Sequence, residues 1–159
     1  MLVVIAQKEE LKLVEELGYS NYPVLITGIG GLNVVNALKH LSKDTEILNI
    51  GYCGSNNLEI GSKVMIRFVR THHNVANFKE VSLSCITDGG IKRVDCYTST
   101  DFVINTTIKE DCVFDMELAF IRAIMPNTRA IKVVSDNLNK EEYKKSVLGE
   151  NYEKEKKEQ

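Results

Sequence analysis

Lys132-Val133-Val134-Ser135-Asp136 is the stretch that decides the fold class, because it joins an apolar run to a single carboxylate. Together with Ile131, the branched side chains of Val133 and Val134 are typical of a buried strand. Asp136 should therefore emerge at the carboxyl end of that strand. Open α/β sheets place their ligand sites at such strand ends, so the stretch predicts both a sheet and a polar site beside it.

Two other stretches repeat this pattern. Phe114-Asp115-Met116-Glu117 carries its acids beside apolar residues, and Glu10 follows the apolar run at residues 2–6 by one helical turn. Three acids at strand ends predict a polar site over one edge of the sheet. Acids also begin many helices as capping residues, so a purely structural role explains the same pattern.

The order of the signals along the chain predicts an α/β fold with a mixed central sheet flanked by helices. Strand-like runs occupy residues 2–6, 22–27, 47–50, 64–69, 81–87, 92–97 and 129–135. Helix-like segments occupy residues 8–17 and 116–125 and follow the glycines at 28–31. Asp88-Gly89-Gly90 predicts a hairpin between the runs at 81–87 and 92–97.

The length of 159 residues fits one domain, which we expect to span residues 1–149. Residues 150–159 are mostly Lys and Glu and predict a charged, frayed tail. The net charge of −2 argues against nucleic acid as a partner. No apolar run approaches the ~18 residues of a membrane-spanning helix, and no charged secretion signal begins the chain. We therefore expect a cytoplasmic protein with no membrane partner.

Cysteines and histidines predict neither disulfides nor a metal. The four cysteines lie far apart without a C-x-x-C pair, which favours reduced thiols: Cys53, Cys85, Cys96 and Cys112. His72-His73 has no further ligand at the spacing that metal sites use, so we predict no metal site.

Two glycine-rich stretches follow predicted strands. Gly28-Ile29-Gly30-Gly31 precedes a helix, where free backbone amides can hold an anion or an oriented water. The stretch lacks the G-x-G-x-x-G spacing of dinucleotide sites and the Gly-Lys-Ser/Thr of a P-loop. A tight turn that needs positive φ is the structural alternative. Gly51-Tyr52-Cys53-Gly54 presents the same choice, so we predict two glycine turns at neighbouring strand ends.

Taken in order, these motifs resemble those of the purine nucleoside phosphorylases and, more closely, of the nucleosidases that cleave methylthioadenosine and S-adenosylhomocysteine. The resemblance is carried by Val4-Ile5-Ala6-Gln7-Lys8-Glu9-Glu10, Thr27-Gly28-Ile29-Gly30, Gly51-Tyr52-Cys53-Gly54, Ile60-Gly61-Ser62-Lys63-Val64, Ser99-Thr100-Asp101-Phe102, Asp115-Met116-Glu117 and Lys132-Val133-Val134-Ser135-Asp136. It implies a nucleoside phosphorylase-like fold. Lys132 stands where the family pattern has arginine, and Tyr52 stands where it has a small serine.

The resemblance also implies an enzyme that hydrolyses the N-glycosidic bond of a purine nucleoside, either methylthioadenosine or S-adenosylhomocysteine or a simpler one. Asp136 would protonate the purine N7, and Glu10 would activate the attacking water. Glu117 would accept hydrogen bonds from the ribose hydroxyls. The other implied ligand contacts are Met116 beneath the sugar, Phe102 stacked on the base, the backbone near Val103 at the base edge, Ser135 and Gly54.

Gly28, Gly30 and Lys132 are the candidates for an anion or water site. Family phosphorylases use arginines near the first glycine turn, whereas residues 14–38 of this chain contain no Lys or Arg. Hydrolysis without a cofactor is therefore the first choice. Arg67 and Arg70 leave phosphorolysis, with phosphate as co-substrate, as an alternative.

A further alternative is a degenerate member that binds a nucleoside or nucleobase without turnover. By the same resemblance, a homo-oligomer, either a dimer or a hexamer, is expected.

Overall fold

Eight strands and five helices make up the described part of the computed structural model, which comprises residues 1–72, 79–84 and 90–157. The strands are β1 Leu2–Ile5, β2 Val24–Ile26, β3 Ile47–Ser55, β4 Lys63–Thr71, β5 Val81–Ser82, β6 Lys92–Thr98, β7 Cys112–Asp115 and β8 Thr128–Asp136. The helices are α1 Leu11–Glu16, α2 Gly31–Leu38, α3 Leu118–Ile124, α4 Lys140–Leu148 and α5 Glu150–Lys157, and a 3-10 turn at Lys8–Glu10 precedes α1.

Five of the strands close into a ring. β3 pairs with β8 in parallel, β8 pairs with β4 antiparallel, and β4 continues through β6 to β7 in parallel. The ring closes because β7 returns to β3 in an antiparallel pair, at Gly54 with Phe114 and Ser55 with Val113. The second half of β3 therefore lies between the ends of β7 and β8, which carry the acidic stretches.

Helices cover the sheet on both faces. Val3 of β1 packs in a buried cluster with Leu13 of α1, whereas its neighbour Val4 packs with Leu38 of α2 and Ile121 of α3. Adjacent strand residues point to opposite faces, so α1 lies on one face and α2 and α3 lie on the other. The predicted mixed sheet flanked by helices is confirmed.

β3 is longer than predicted. It runs through residues 51–54, where the sequence predicts a second glycine turn, with a register shift between Cys53 and Gly54. The predicted turn is therefore wrong. These glycines allow close approach: a Cβ on Gly51 would lie 2.9 Å from Glu10 Oε1, and a Cβ on Gly54 would lie 2.9 Å from Asp136 Oδ2.

The predicted hairpin between the runs at 81–87 and 92–97 is also wrong. β5 pairs antiparallel with β4, and β6 pairs in parallel with the other edge of β4. β4 thus separates the two strands that the hairpin would join. His73, Cys85 and most of the predicted turn, Asp88-Gly89, lie outside the described residues.

The C-terminal segment is helical where the sequence predicts a frayed tail. α4 ends at Leu148, Gly149 follows with a φ of 57°, and α5 runs from Glu150 to Lys157. A glycine adopts positive φ at no steric cost, so the chain can change direction there and start a second helix. Among the helices of the described residues, none combines the length and apolar character that crossing a bilayer requires.

Candidate active site

The three acids that the sequence singles out open into one cavity of about 190 Å³: Glu10, Glu117 and Asp136. Met116, Phe102, Ser135 and Gly54 also line this cavity, and Val103 lines an adjoining cavity of about 30 Å³. All eight catalytic and substrate-binding candidates therefore lie around these two adjoining cavities. The register of the ring explains this, because Gly54 of β3 pairs with Phe114 of β7 on one side and with Asp136 of β8 on the other.

Asp136 ends β8 and is almost fully buried. Its Oδ1 lies 2.6 Å from the Ser135 hydroxyl, and its Oδ2 accepts a hydrogen bond of 3.0 Å from the Leu138 amide. Burial raises the pKa of Asp136 above its usual range, although these hydrogen bonds oppose the shift. The carboxyl is therefore held in one orientation with an increased tendency to carry a proton.

Backbone amides are the hydrogen-bond partners of the Glu10 carboxylate among the described residues. Its Oε2 accepts from Ala6 N at 2.8 Å and from Gln7 N at 3.3 Å, while Oε1 accepts from Tyr52 N at 2.9 Å. Burial raises the pKa of Glu10, and the charge of Lys132 and the three amides oppose that shift. Tyr52 joins the site through its backbone, since its ring lies under Lys12 at 5.5 Å.

Glu117 precedes α3 and faces the first glycine turn. Its Oε2 accepts a 2.9 Å hydrogen bond from the Gly30 amide. Burial, together with the nearby charge of Asp115, raises the pKa of Glu117 to about 8. Glu117 is thus a carboxyl that changes charge near neutral pH.

This shift predicts a pH-dependent stability that depends on Glu117. Since its folded-state pKa is about 8 against a usual 4.5, the free energy of unfolding should fall as the pH rises through that interval. Each pKa unit corresponds to about 1.4 kcal/mol. The free energy of unfolding of Glu117→Gln should therefore exceed that of the wild type by a few kcal/mol at pH 8 and be nearly equal to it at pH 4.5. Urea unfolding across this pH range measures the difference.

The exposed Glu15 on α1 provides a matched control. Glu15→Gln should leave the pH dependence of unfolding as it is in the wild type. Equal pH dependence in the wild type and Glu117→Gln would contradict the assignment of the shift to Glu117.

A buried ion pair lies close enough to Glu10 and Glu117 for its lysine to lower their pKa values. Lys132 Nζ lies 2.9 Å from Asp115 Oδ2, and both side chains are almost fully buried. Asp115 Oδ1 also accepts from the Thr98 hydroxyl at 2.6 Å, and its Oδ2 accepts from Leu118 N at 2.9 Å. Burial alone would raise the pKa of Asp115, but the charge of Lys132 and the hydrogen bonds from Lys132, Thr98 and the Leu118 amide together lower it. Asp115 is therefore an ionised carboxylate with its charge neutralised inside the protein.

The candidates for an anion or water site have partners within the chain. Gly28 and Gly30 both have positive φ, as a tight turn requires. The Gly28 amide donates to Ala6 O at 2.9 Å, and the Gly30 amide donates to Glu117. Lys132 does not line the cavity, since its ammonium group pairs with Asp115.

Sequence reasoning missed two further residues of the cavity wall, Gln7 and Tyr143. Gln7 Nε2 donates a 2.8 Å hydrogen bond to the Tyr143 hydroxyl, and the Tyr143 ring meets Phe102 edge-on with 5.6 Å between centroids. These residues are 136 positions apart, so only the docking of α4 brings them together. No local pattern in the sequence signals this contact.

Within residues 1–72, 79–84 and 90–157, no cluster of three His, Cys, Asp or Glu could hold a metal ion. The cavity instead offers carboxyl groups and aromatic rings. Such a set can donate and accept protons, accept hydrogen bonds from hydroxyls, and stack against a flat ring.

No family model and no curated protein matches the sequence. Solved structures do match. The nucleosidase (MTAN) of Chlamydia trachomatis bound to MTA has a TM-score of 0.73 at 18% identity, over 92% of this chain and 88% of that chain. The same protein bound to adenine has a TM-score of 0.73 at 19% identity, over 95% and 88%.

A second match is the 5'-methylthioadenosine/S-adenosylhomocysteine nucleosidase of Helicobacter pylori, with a TM-score of 0.74 at 13% identity. It covers 99% of this chain and 97% of that chain. These matches extend over nearly the whole of both chains, so they concern the complete fold. The chain therefore has the nucleoside phosphorylase-like fold of the methylthioadenosine/S-adenosylhomocysteine nucleosidases, as its sequence motifs predict.

Proposed function

We propose that this protein is a nucleosidase that hydrolyses the N-glycosidic bond of a purine nucleoside. The observation that carries the proposal is the convergence of Glu10, Glu117 and Asp136 on one cavity with aromatic walls. A nucleoside needs an acid for its base, an acceptor for its sugar hydroxyls and a base for the attacking water. The solved structures of similar fold that hold MTA or adenine support the same ligand class.

Asp136 is the proposed general acid. Its proton goes to the purine N7 as the bond between C1′ and N9 breaks, so the base leaves as a neutral molecule. A carboxylic acid can do this near neutral pH only if its pKa is raised, and burial raises the pKa of Asp136. The Leu138 amide and the Ser135 hydroxyl hold the carboxyl in place.

Glu117 and its neighbours are proposed to hold the nucleoside. Glu117 accepts hydrogen bonds from the ribose hydroxyls, and Met116 packs beneath the sugar. Phe102 stacks on the base, and the backbone near Val103 meets the base edge. The position of Val103 in the adjoining small cavity, beside Asp136, supports a base at that end.

Glu10 is the proposed general base. It takes a proton from the water that attacks C1′, which balances the proton that Asp136 gives to the purine. Three backbone amides bind both of its oxygens and so orient the carboxylate. Its raised pKa brings it closer to the pH at which a general base works best.

The charge around the cavity favours water over phosphate as the nucleophile. None of the described residues that line the cavity is a Lys or Arg. Arg67 and Arg70 both pair with Asp95, and Lys132 pairs with Asp115. A phosphate dianion would therefore meet carboxylates without a cation to neutralise it.

Release of free base by the purified protein tests the proposal. Adenosine, inosine, 5′-methylthioadenosine and S-adenosylhomocysteine are incubated with and without phosphate, and adenine or hypoxanthine is measured by chromatography. We expect base release that does not depend on phosphate, with a free sugar as the second product. Release that requires phosphate would identify a phosphorylase. Thermal stabilisation by these compounds without any base release would identify a binding protein.

The assembly state stays a prediction by analogy. A homo-oligomer is compatible with the exposed apolar side chains of Ile29, Leu32 and Val35 around α2. Sedimentation velocity of the purified protein decides between monomer, dimer and hexamer.

A further inference from the structure

The candidate cavity has two different ends. Gly54, Phe102 and Asp136 line both the main cavity and the small one beside it, whereas Leu138 and Val103 line only the small one. Gln7, Glu10 and Tyr143 line only the main cavity. If Asp136 faces the base, as in the proposed function, the end with Gln7 and Tyr143 receives the sugar.

Tyr143 and Gln7 line this sugar end. The Tyr143 hydroxyl accepts the hydrogen bond from Gln7 Nε2 at 2.8 Å, which joins α4 to the segment after β1. The other side of the Tyr143 ring reaches Phe102, at 5.6 Å between centroids and 67° between planes. These two contacts link Gln7, Tyr143 and Phe102, and we call the three side chains the wall of the sugar end.

The helix that carries Tyr143 is firmly docked. Asn139 caps it by accepting from the amides of Glu141 and Glu142, and Val147 is buried. The Ser146 hydroxyl donates a 2.6 Å hydrogen bond to Ser135 O, in the same strand end that carries Asp136. Tyr143 is therefore held in a defined position relative to the proposed general acid.

The size of the cavity limits what can lie inside this wall. Its volume is about 190 Å³, small against the ~300–1,000 Å³ of most ligand pockets, so a bound nucleoside leaves little free space beside Tyr143. A purine with an unsubstituted ribose is compact, whereas a 5′-thioether with an amino-acid chain is much longer. A long 5′ group would need Tyr143 to move and its hydrogen bond with Gln7 to break.

The chemistry of the wall also favours a polar group. The Tyr143 hydroxyl uses an oxygen lone pair for Gln7, and within the described part of the chain no acceptor takes its own proton. That proton is available to a 5′-hydroxyl oxygen of a ligand. A thioether sulfur is a much weaker acceptor.

We infer that Tyr143, held by Gln7, determines specificity at the sugar end and selects purine nucleosides with a free 5′-hydroxyl over those with a bulky 5′-thio substituent. This inference rests on the proposed function, because it assumes that the base lies beside Asp136. It assigns a role to Tyr143, which lies in none of the sequence motifs, and to Gln7, which lies in the first motif without a role there.

The test compares kcat/KM for adenosine, 5′-methylthioadenosine and S-adenosylhomocysteine in the wild type, Tyr143→Ala and Tyr143→Phe. The wild type should prefer adenosine. Tyr143→Ala opens the wall, so the ratio of kcat/KM for S-adenosylhomocysteine to that for adenosine should rise by about 10-fold or more. Tyr143→Phe keeps the wall and loses the hydroxyl, so adenosine turnover should fall while S-adenosylhomocysteine stays excluded.

Tyr152→Ala is the matched control. Tyr152 lies on α5, its hydroxyl donates a hydrogen bond to Glu141, and it does not line the cavity. Its specificity ratio should equal that of the wild type. An unchanged ratio in Tyr143→Ala, or a wild type that prefers S-adenosylhomocysteine, would overturn the inference. If the wild type releases no base at all, the proposed hydrolysis fails separately. Thermal shifts with the same three compounds then decide whether Tyr143 selects the ligand.

Discussion

Asp136→Asn is expected to reduce base release by about 10²–10⁴-fold, the range that a general acid contributes. Asparagine has nearly the shape of aspartate but cannot give a proton to the purine N7. Its amide oxygen can still accept from the Leu138 amide, so the end of β8 should keep its structure. The variant should therefore bind the nucleoside without cleaving it.

The measurement pairs steady-state base release with calorimetric titration of the same nucleoside into Asp136→Asn. Asp44→Asn, an exposed substitution before β3, is the matched control and should keep wild-type turnover. The pH profile adds a second readout. Since Asp136 acts in its protonated form, wild-type turnover should fall as the pH rises through its raised pKa. Full turnover in Asp136→Asn would show that Asp136 is not the general acid and has a structural role only.

Strand-end reasoning finds the acids of the site because it depends on one local rule. An apolar run that ends in a carboxylate predicts a strand whose end carries that carboxylate, and β8 with Asp136 fits the rule closely. Glu10 and Glu117 follow the same logic in β1 and β7. The pairs of Gly54 align the ends of β7 and β8, and the Tyr52 amide of β3 binds Glu10, so acids predicted from local patterns lie around one cavity.

The glycines of β3 show where this reasoning fails. A glycine in a sequence has two common structural reasons: a tight turn that needs positive φ, or another group that approaches the backbone too closely for a side chain. Gly51 and Gly54 serve the second purpose, because the carboxylates of Glu10 and Asp136 occupy the space that a Cβ would take. That choice depends on residues more than 40 positions away, which no local pattern records.

Long-range contacts explain the other failures. β6 pairs in parallel with β4 and does not form a hairpin with the preceding strand, β5. The other edge of β6 pairs with β7, and β8 pairs with β4, so β6 is one strand of the closed ring. Tyr143 lies in a Lys- and Glu-rich segment, residues 140–148, which contains none of the motifs. Its role arises from Gln7, at the other end of the chain.

Lys132→Met is expected to destabilise the protein by about 3–5 kcal/mol, the usual cost of removing one partner of a buried ion pair. Methionine fills most of the space of the lysine stem, so the cavity left behind is small. The cost comes from Asp115, which would stay buried with its charge uncompensated. Asp115 would then have to take up a proton or draw water into the core.

The double variant Lys132→Met with Asp115→Asn separates this cause from a loss of packing. Asparagine carries no charge, and its amide oxygen can still accept from Thr98 or from the Leu118 amide, so most of the lost stability should return. Guanidinium unfolding of the wild type, both single variants and the double variant gives the coupling free energy directly. A double variant that is no more stable than Lys132→Met alone would mean that the lysine stabilises the fold by packing. The positive charge of Lys132 also lowers the pKa values of Glu10 and Glu117, which burial raises. If the lysine acted by packing alone, another group would have to supply that positive charge.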